Sequence, residues 1–243
     1  MKRAIIVTAG TSGIGKSIAE KMSGTLTDES LIIVYGHDDD KAEKLKKSIK
    51  SQKSVDVMLC KYDLTDYESA MRFCDEITAD YVVNKLILNM GIGLYKPFEE
   101  YDLESWNQVM STNLTIPAFM IKKLLDNLTT GGSVLLVSSY AGNQPYSSSI
   151  VYGVSKAGVS FLAKSLVKVL EKKKVRINAI EPGFVETAWH NNRSDESRKR
   201  IENKVAVHRF ATPEEIADMA VSILNNAYMN GAVVPIHGGY DYF

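Results

Sequence analysis

Cysteine is scarce: Cys60 and Cys74 are the only two in 243 residues. Two thiols build neither a disulfide framework nor a four-thiolate zinc site, so a stapled secreted scaffold and a structural zinc module are both excluded. Reduced thiols in a cytoplasmic protein are the expectation, with no metal site. An excess of charge is also missing, since 29 Lys and Arg stand against 29 Asp and Glu. A chain so balanced is not expected to hold nucleic acid or an anionic membrane by bulk charge. Long apolar runs are lacking: none approaches the roughly 18–20 residues of a membrane span. Lys2-Arg3 before Ala4-Ile5-Ile6-Val7 mimics the start of a signal peptide. That run stops at Thr8-Ala9-Gly10, short of an apolar segment of about 7–15 residues, so a first buried strand is the better reading. Repeats and low-complexity linkers are absent. What is present is ordinary for a globular chain, 45% hydrophobic and 24% charged residues, which excludes wholesale disorder.

Short runs rich in Ile, Val and Leu recur at 4–7, 31–35, 55–60, 85–89, 133–137, 175–180 and 232–236. Apolar on both faces, they read as buried parallel strands. Between them lie amphipathic stretches, such as Ala42, Leu45 and Ile49, then Leu162, Leu166 and Val169. Thr212-Pro213-Glu214-Glu215 starts a further helix, with a capping residue, a proline in the first turn and acids at the positive end of the dipole. The alternation predicts an α/β fold: a single doubly wound, Rossmann-type parallel sheet of about seven strands with helices on both faces, spanning 1–243 as one domain. Ligands of such sheets bind at the carboxyl ends of the strands, where strand order reverses.

The first strand runs into Thr8-Ala9-Gly10-Thr11-Ser12-Gly13-Ile14-Gly15-Lys16-Ser17, followed by a helical pattern. Glycines there let backbone approach phosphates, and the helix start offers free N–H groups. The segment satisfies two patterns. Gly10 to Ser17 matches Walker A of the P-loop NTPases. Such an enzyme also needs a carboxylate ending another strand to organise Mg²⁺, and only Asp63, after Lys61 and Tyr62, stands near one. Gly13-Ile14-Gly15 matches the end of a dinucleotide-binding glycine motif.

Tyr152 and Lys156 are four apart and share a face if helical. Ser139 ends the strand at 133–137, and Asn113 lies in Ser111-Thr112-Asn113-Leu114. Singly, each type is usually a solvated face, a cap or a loop hydrogen-bonder. Together, in this order after the glycine loop, they resemble the catalytic set of the short-chain dehydrogenase/reductase family, with a flavour of the 3-oxoacyl-carrier-protein reductases. The resemblance covers essentially the whole chain. It implies Tyr152 as the acid/base, and an ammonium at Lys156 that lowers the phenol's pKa and holds the nicotinamide ribose. Ser139 polarises the substrate oxygen, and Asn113 helps hold a proton-supplying water. The nicotinamide brings the hydride chemistry.

The same resemblance assigns cofactor contacts along the chain. Gly10, Thr11, Ser12, Gly13, Ile14 and Gly15 take the diphosphate end. Asp63 and Leu64 take the adenine. Asn89 and Gly91 stand in the family's Asn-Asn-Ala-Gly, and Pro182, Gly183, Val185 and Thr187 in its Pro-Gly segment, beside nicotinamide and diphosphate. Departures are Ala9 for a glycine, which expects Gly10 to take the permissive backbone conformation, Leu88 for an asparagine, and Met90, which adds bulk beside the cofactor. Gly36 stands where NAD-preferring members carry an acid, and His37 is a donor next to it. Asp38, Asp39 and Asp40 follow at a helix start. NADP(H) is therefore expected over NAD(H), although Ser12 replaces the basic residue of many NADP-preferring members.

The expected reaction interconverts a ketone and a secondary alcohol, with a 3-oxoacyl thioester among the substrates implied. Residues 184–210 are expected to cover the site as a lid. Val159, Leu162, Leu166 and Val169 offer surface for the homotetramer usual in the family. Lys172-Lys173-Lys174, ending a long helix, stand where the carrier-protein reductases dock acyl carrier protein. Two alternatives accompany this reading: a P-loop NTPase, and a non-catalytic dinucleotide-sensing protein on the same fold.

Overall fold

The computed structural model describes residues 1–52, 54–145 and 149–240. Strands β1 (Lys2–Thr8), β2 (Ser30–Tyr35), β3 (Val57–Lys61), β4 (Tyr81–Leu88), β5 (Leu128–Val137), β6 (Arg176–Pro182) and β7 (Val233–Ile236) form one sheet in the order β3-β2-β1-β4-β5-β6-β7. All six pairings are parallel. The helices are α1 (Gly13–Ser23), α2 (Asp39–Gln52), α3 (Tyr67–Asp80), α4 (Leu103–Met110), α5 (Ile116–Leu124), α6 (Ile150–Ser165), α7 (Val167–Leu170), α8 (Asp195–Glu202) and α9 (Pro213–Asn225).

Side chains that alternate along each strand divide between two cores. Ala4, Ile6, Leu86, Val134, Leu136 and Ile177 pack on one face with Phe73, Ile116, Met120 and Val159. Ile5, Val7, Ile87, Leu135 and Ile180 pack on the other with Ile18, Met22, Ile216 and Ala220. This is why the strands read as uninterrupted apolar runs. Chain order reverses between β1 and β4, so a crevice opens at their carboxyl ends.

Strand borders moved where polar residues pair in the sheet. β4 and β5 begin at Tyr81 and Leu128, before the apolar runs at 85 and 133. Thr129 Oγ1 donates to Asn84 Oδ1 (3.1 Å) across the pair, and Gly132 has no room for a side chain beside the Asn84 carbonyl. α9 starts as expected, with Thr212 and Glu215 forming a reciprocal capping box. α2 begins at Asp39, and Asp38 caps it by accepting from Lys41 N (3.0 Å).

The long helix expected to end in Lys172-Lys173-Lys174 is broken at Leu166 into α6 and α7. The lysines follow in a short 3₁₀ turn, with Lys174 left-handed at φ 56° and Lys173 paired with Asp126 (2.7 Å). Contrary to the reading of the apolar runs, the helical stretch Ile150–Lys173 is long and apolar enough to cross a membrane, with a mean hydropathy of 1.3. Part of its apolar surface is core: Val151, Val159, Ala163 and Leu170 are buried in the fold, whereas Val154, Phe161 and Val169 are exposed.

Candidate active site

The site begins at the end of β1. Thr8 Oγ1 donates to Ile87 O (3.2 Å) and accepts from Asn89 N (2.8 Å), tying β1 to β4 across the crevice. Ala9 turns the chain at φ 47°, a conformation that ordinarily favours glycine. The expectation that Gly10 would take the permissive conformation is thus corrected: the turn falls on Ala9 itself. Gly10 is needed for closeness instead, since an added Cβ would stand 2.8 Å from Ile33 Cγ2.

Gly13 has φ 51°, and a Cβ on Gly15 would lie 2.3 Å from the Ala9 carbonyl oxygen. The start of α1 carries no acid in its first turn and no side-chain cap from Ser12. These are features of a phosphate cradle: backbone drawn close, and a positive helix end left open. They fit the diphosphate of a dinucleotide, with Ser12, Gly13, Ile14 and Thr187 placed to hold it. The P-loop reading does not fit. Ser17, which would bind Mg²⁺, donates to Glu214 Oε1 (3.0 Å), and Lys16 faces Glu20 (3.6 Å).

Asn113 sits in a π-helical turn, Ser111–Thr115, between α4 and α5. Such turns widen a helix by one residue and present a side chain that a regular helix would turn away. Its amide accepts from Ile92 N (2.8 Å) and donates to Ile92 O (2.9 Å) and Ser155 Oγ (2.9 Å). Asn113 thereby clamps the segment after β4 to α6. Gly91 lies in that segment, and a Cβ there would stand 3.2 Å from Lys156 Nζ. Met90 turns into the core, buried with Leu86 and Ile116, so it adds no bulk beside the cofactor groove as the sequence had suggested.

α6 brings Tyr152 and Lys156 to the carboxyl end of β5. Lys156 Nζ donates to Val137 O (2.8 Å) and lies 5.7 Å from the centre of the Tyr152 ring. Ser139 hydrogen-bonds the Tyr152 hydroxyl. Burial pushes Tyr152 up to about 12, with Ser139 drawing it down and Tyr95 adding to the rise. Burial also pushes Lys156 down to about 8. Burial dominates in this state, and Tyr152 is a neutral proton donor in it.

A cavity of about 580 Å³ opens over these groups, a volume suited to a small ligand. Of the residues singled out from the sequence, Ser12, Gly13, Ile14, Asn89, Gly91, Ser139, Tyr152, Lys156, Pro182, Gly183, Val185 and Thr187 line it. Gly10, Thr11, Gly15 and Asn113 do not. Gly36 and His37 end β2 outside it, exposed to solvent. Asp63 is taken up by Thr65 N (2.9 Å) and Oγ1 (2.7 Å), and Leu64 is buried in the core. Neither belongs to the cavity.

Residues 184–210 lie over one side. Val185 pairs with Ala211 in an isolated bridge, and Phe210, Ile201 and Val205 form a small core with Phe184 and Tyr240. Trp189 donates through Nε1 to the Tyr95 hydroxyl (2.7 Å), and its ring lies 5.5 Å from that of Tyr152. This Tyr95–Trp189 clasp was not found by sequence reasoning. Its halves are 94 residues apart, in loops without periodicity.

His190 lines the same wall, its Nδ1 buried without a partner. Burial, with Arg193 beside it, pushes its pKa down from 6.5 to about 4. With His190 released to solvent the segment binds more protons between those values, so its packed state loses stability as pH falls from about 6.5 to about 4. In a Trp106→Phe background, Trp189 fluorescence is expected to change over that window, and His190→Phe to flatten the change. An unchanged pH profile in His190→Phe contradicts the assignment.

A family model described as short chain dehydrogenase matches residues 3–198. The 3-oxoacyl-[acyl-carrier-protein] reductase of Aquifex aeolicus is 28% identical over 239 residues, 96% of this chain and 95% of that protein. An acetoacetyl-CoA reductase of Allochromatium vinosum is 27% identical, covering 98% of each. A short chain dehydrogenase of Burkholderia cenocepacia, solved in complex with NADP, superposes with a TM-score of 0.90 over 99% of this chain and 98% of that one. At 18% identity that likeness speaks for the fold.

Proposed function

The chain belongs to the short-chain dehydrogenase/reductase family and is an oxidoreductase of it, and from that premise we propose that it reduces a ketone to a secondary alcohol with NADPH, a 3-oxoacyl thioester being the favoured substrate class. The observation that carries this reading is that Ser139, Tyr152 and Lys156, the last two four apart on one helix, line one cavity continuous with the glycine loop.

The bound cofactor supplies the hydride. Ser139 donates toward the carbonyl oxygen, and Tyr152 delivers the proton that turns it into a hydroxyl. Lys156 holds positive charge beside the phenol as the proton leaves, where a phenolate would otherwise stand in a dry site. Asn113 keeps Gly91 and α6 in register, so that Lys156 approaches closely. Both polar atoms of its side chain have protein partners, so the water expected there falls to its backbone. The chain works as one dinucleotide-binding and catalytic unit, with 184–210 as its lid.

The thioester class rests on the two relatives named above, and docking of an acyl carrier protein at Lys172 and Lys174 goes with it. A cytoplasmic location accords with Cys60 and Cys74, which are free thiols. For a homotetramer the supporting surface differs from the sequence expectation. Val159 is core, whereas Val154, Phe161 and Val169 of α6 and α7 stand 46, 70 and 44% exposed. Light scattering is expected to give about four times 26.9 kDa, and a monomer at micromolar concentration contradicts it.

Preference for NADPH rests on the end of β2. Gly36 leaves open space, its nearest neighbour being the Tyr62 carbonyl oxygen at 3.8 Å from a built Cβ. Of the acids that follow, Asp39 is held by Lys61 (2.7 Å) and Tyr35 (2.8 Å), and Asp38 by Lys41 (2.8 Å). Their charge is thus offset, and no carboxylate stands at the position that would repel a 2′-phosphate. Gly36→Asp fits without a clash and adds that carboxylate. It is expected to shift the ratio of kcat/KM for NADPH over NADH at least tenfold toward NADH, equivalent to about 1.4 kcal/mol. A wild-type preference for NADH, or no shift in the variant, overturns the assignment.

A further inference from the structure

The cavity wall has an electrostatic bias that reduction of a neutral ketone does not require. Among the described residues no aspartate or glutamate lines it, whereas Lys156, Arg193, Arg200 and Lys204 do. Two of these cations are engaged. Lys156 is buried on the Val137 carbonyl, and Arg193 donates to Ser197 Oγ (3.3 Å) and lies over the Phe184 ring.

Arg200 and Lys204 are different. Arg200 stands in the last turn of α8 and Lys204 in the turn just after it, on either side of the buried Ile201 in the chain. Among the described residues, neither has an ion-pair or side-chain hydrogen-bond partner. Arg198 on the same helix, which points away from the cavity, is paired with both Glu186 and Glu202. A helix C-terminus favours cations wherever they point. It does not account for two unpaired ones on the face that shares its space with Ser139 and Tyr152.

The same wall holds the buried, unpartnered His190 Nδ1, a polar atom in need of a ligand. The diphosphate has its own donors in the glycine loop, so these lid groups are surplus to it. We propose that the substrate carries an anionic group, and that Arg200 and Lys204 hold it at the lid end of the cavity while the ketone lies at Ser139 and Tyr152. This rests on the reductase reading and deepens it to a substrate class. The anion is either a carboxylate of the substrate itself or a phosphate of a thioester carrier arm.

The test compares two pairs of substrates with NADPH: 3-oxobutyrate against its methyl ester, and the 3-oxobutyryl thioester of coenzyme A against that of N-acetylcysteamine. The wild type is expected to favour the charged member of one pair at least tenfold in kcat/KM, and that pair identifies the source of the anion. In Arg200→Gln/Lys204→Gln the ratio for that pair is expected to fall at least tenfold. Ratios unmoved in both pairs overturn the proposal. So does a tenfold weaker NADPH affinity with unmoved ratios, which assigns the cations to the cofactor.

A second readout does not depend on turnover. Titration of 3-hydroxybutyrate and of free coenzyme A into the NADP-loaded protein, followed by Trp189 fluorescence in the Trp106→Phe background, is expected to show that one of the two anions binds and that the double variant weakens it at least tenfold. Absence of binding by both, or equal binding by the double variant, overturns the proposal. If anion binding holds while none of the four ketones is reduced, it is the reductase reading that fails.

Discussion

Tyr152→Phe is expected to lower kcat for ketone reduction by about 10²–10⁴-fold, or roughly 3–5 kcal/mol of barrier, the usual worth of positioned acid catalysis. The substitution keeps the ring that packs beneath Trp189 and removes the phenol proton. Cofactor affinity, measured by fluorescence titration, should change by less than about threefold, because the glycine loop and Lys156 are untouched. The pH profile carries the same information. With the phenol raised to about 12, Tyr152 stays protonated through neutral pH. Reduction, which needs the acid form, should therefore persist to higher pH than alcohol oxidation would suggest from an ordinary tyrosine. Wild-type turnover in Tyr152→Phe removes this residue from the chemistry.

Lys156→Met separates stability from activity. Burial lowers this ammonium from 10.5 to about 8, and at about 1.4 kcal/mol per pKa unit the fold bears a cost on the order of 3 kcal/mol for holding it charged. Its hydrogen bond to Val137 O returns part of that, about 1–2 kcal/mol. Methionine fills a similar volume without the charge. Near neutral pH the variant should gain about 1–2 kcal/mol, or several degrees in Tm for a chain of this length. It should lose about 10²–10³-fold in kcat/KM as the charge beside Tyr152 and the ribose contact go, a stability–activity exchange typical of active sites.

The sign of the pH effect follows from the direction of the shift. Between about pH 8 and 10.5 the unfolded chain binds more protons at Lys156 than the folded one, so wild-type stability rises with pH across that window relative to the variant. A variant less stable than the wild type at pH 7 shows that the ammonium is a net stabiliser, and contradicts the burial argument.

The sheet was legible because its inner strands are covered on both faces, so that burial is written into consecutive residues such as Ala4-Ile5-Ile6-Val7. The catalytic residues were legible for another reason. Tyr152 and Lys156 are four apart on one helix and Ser139 follows β5 by two residues, so a pattern in one dimension survives folding there. What failed depends on contacts between distant segments. Ala9 accepts φ 47° because Thr8 and Asn89 fix the strands on either side of it. Met90 turns inward because the core beneath β4 has a place for it. The pKa of Tyr152 rises because burial desolvates the phenol, which no spacing within α6 reveals. That Arg200 and Lys204 border the cavity is likewise set by the packing of distant segments.

The most direct test of the central claim follows a hydride. NADPH deuterated at its hydride-donating carbon is incubated with the protein and a 3-oxobutyryl thioester, and the product is examined by mass spectrometry and NMR. The account predicts one deuterium on the new carbinol carbon, and at least a hundredfold less of that labelled product from Tyr152→Phe within the same time. A product whose carbinol carbon carries only solvent hydrogen, or a bound cofactor that is never oxidised by any ketone offered, contradicts it.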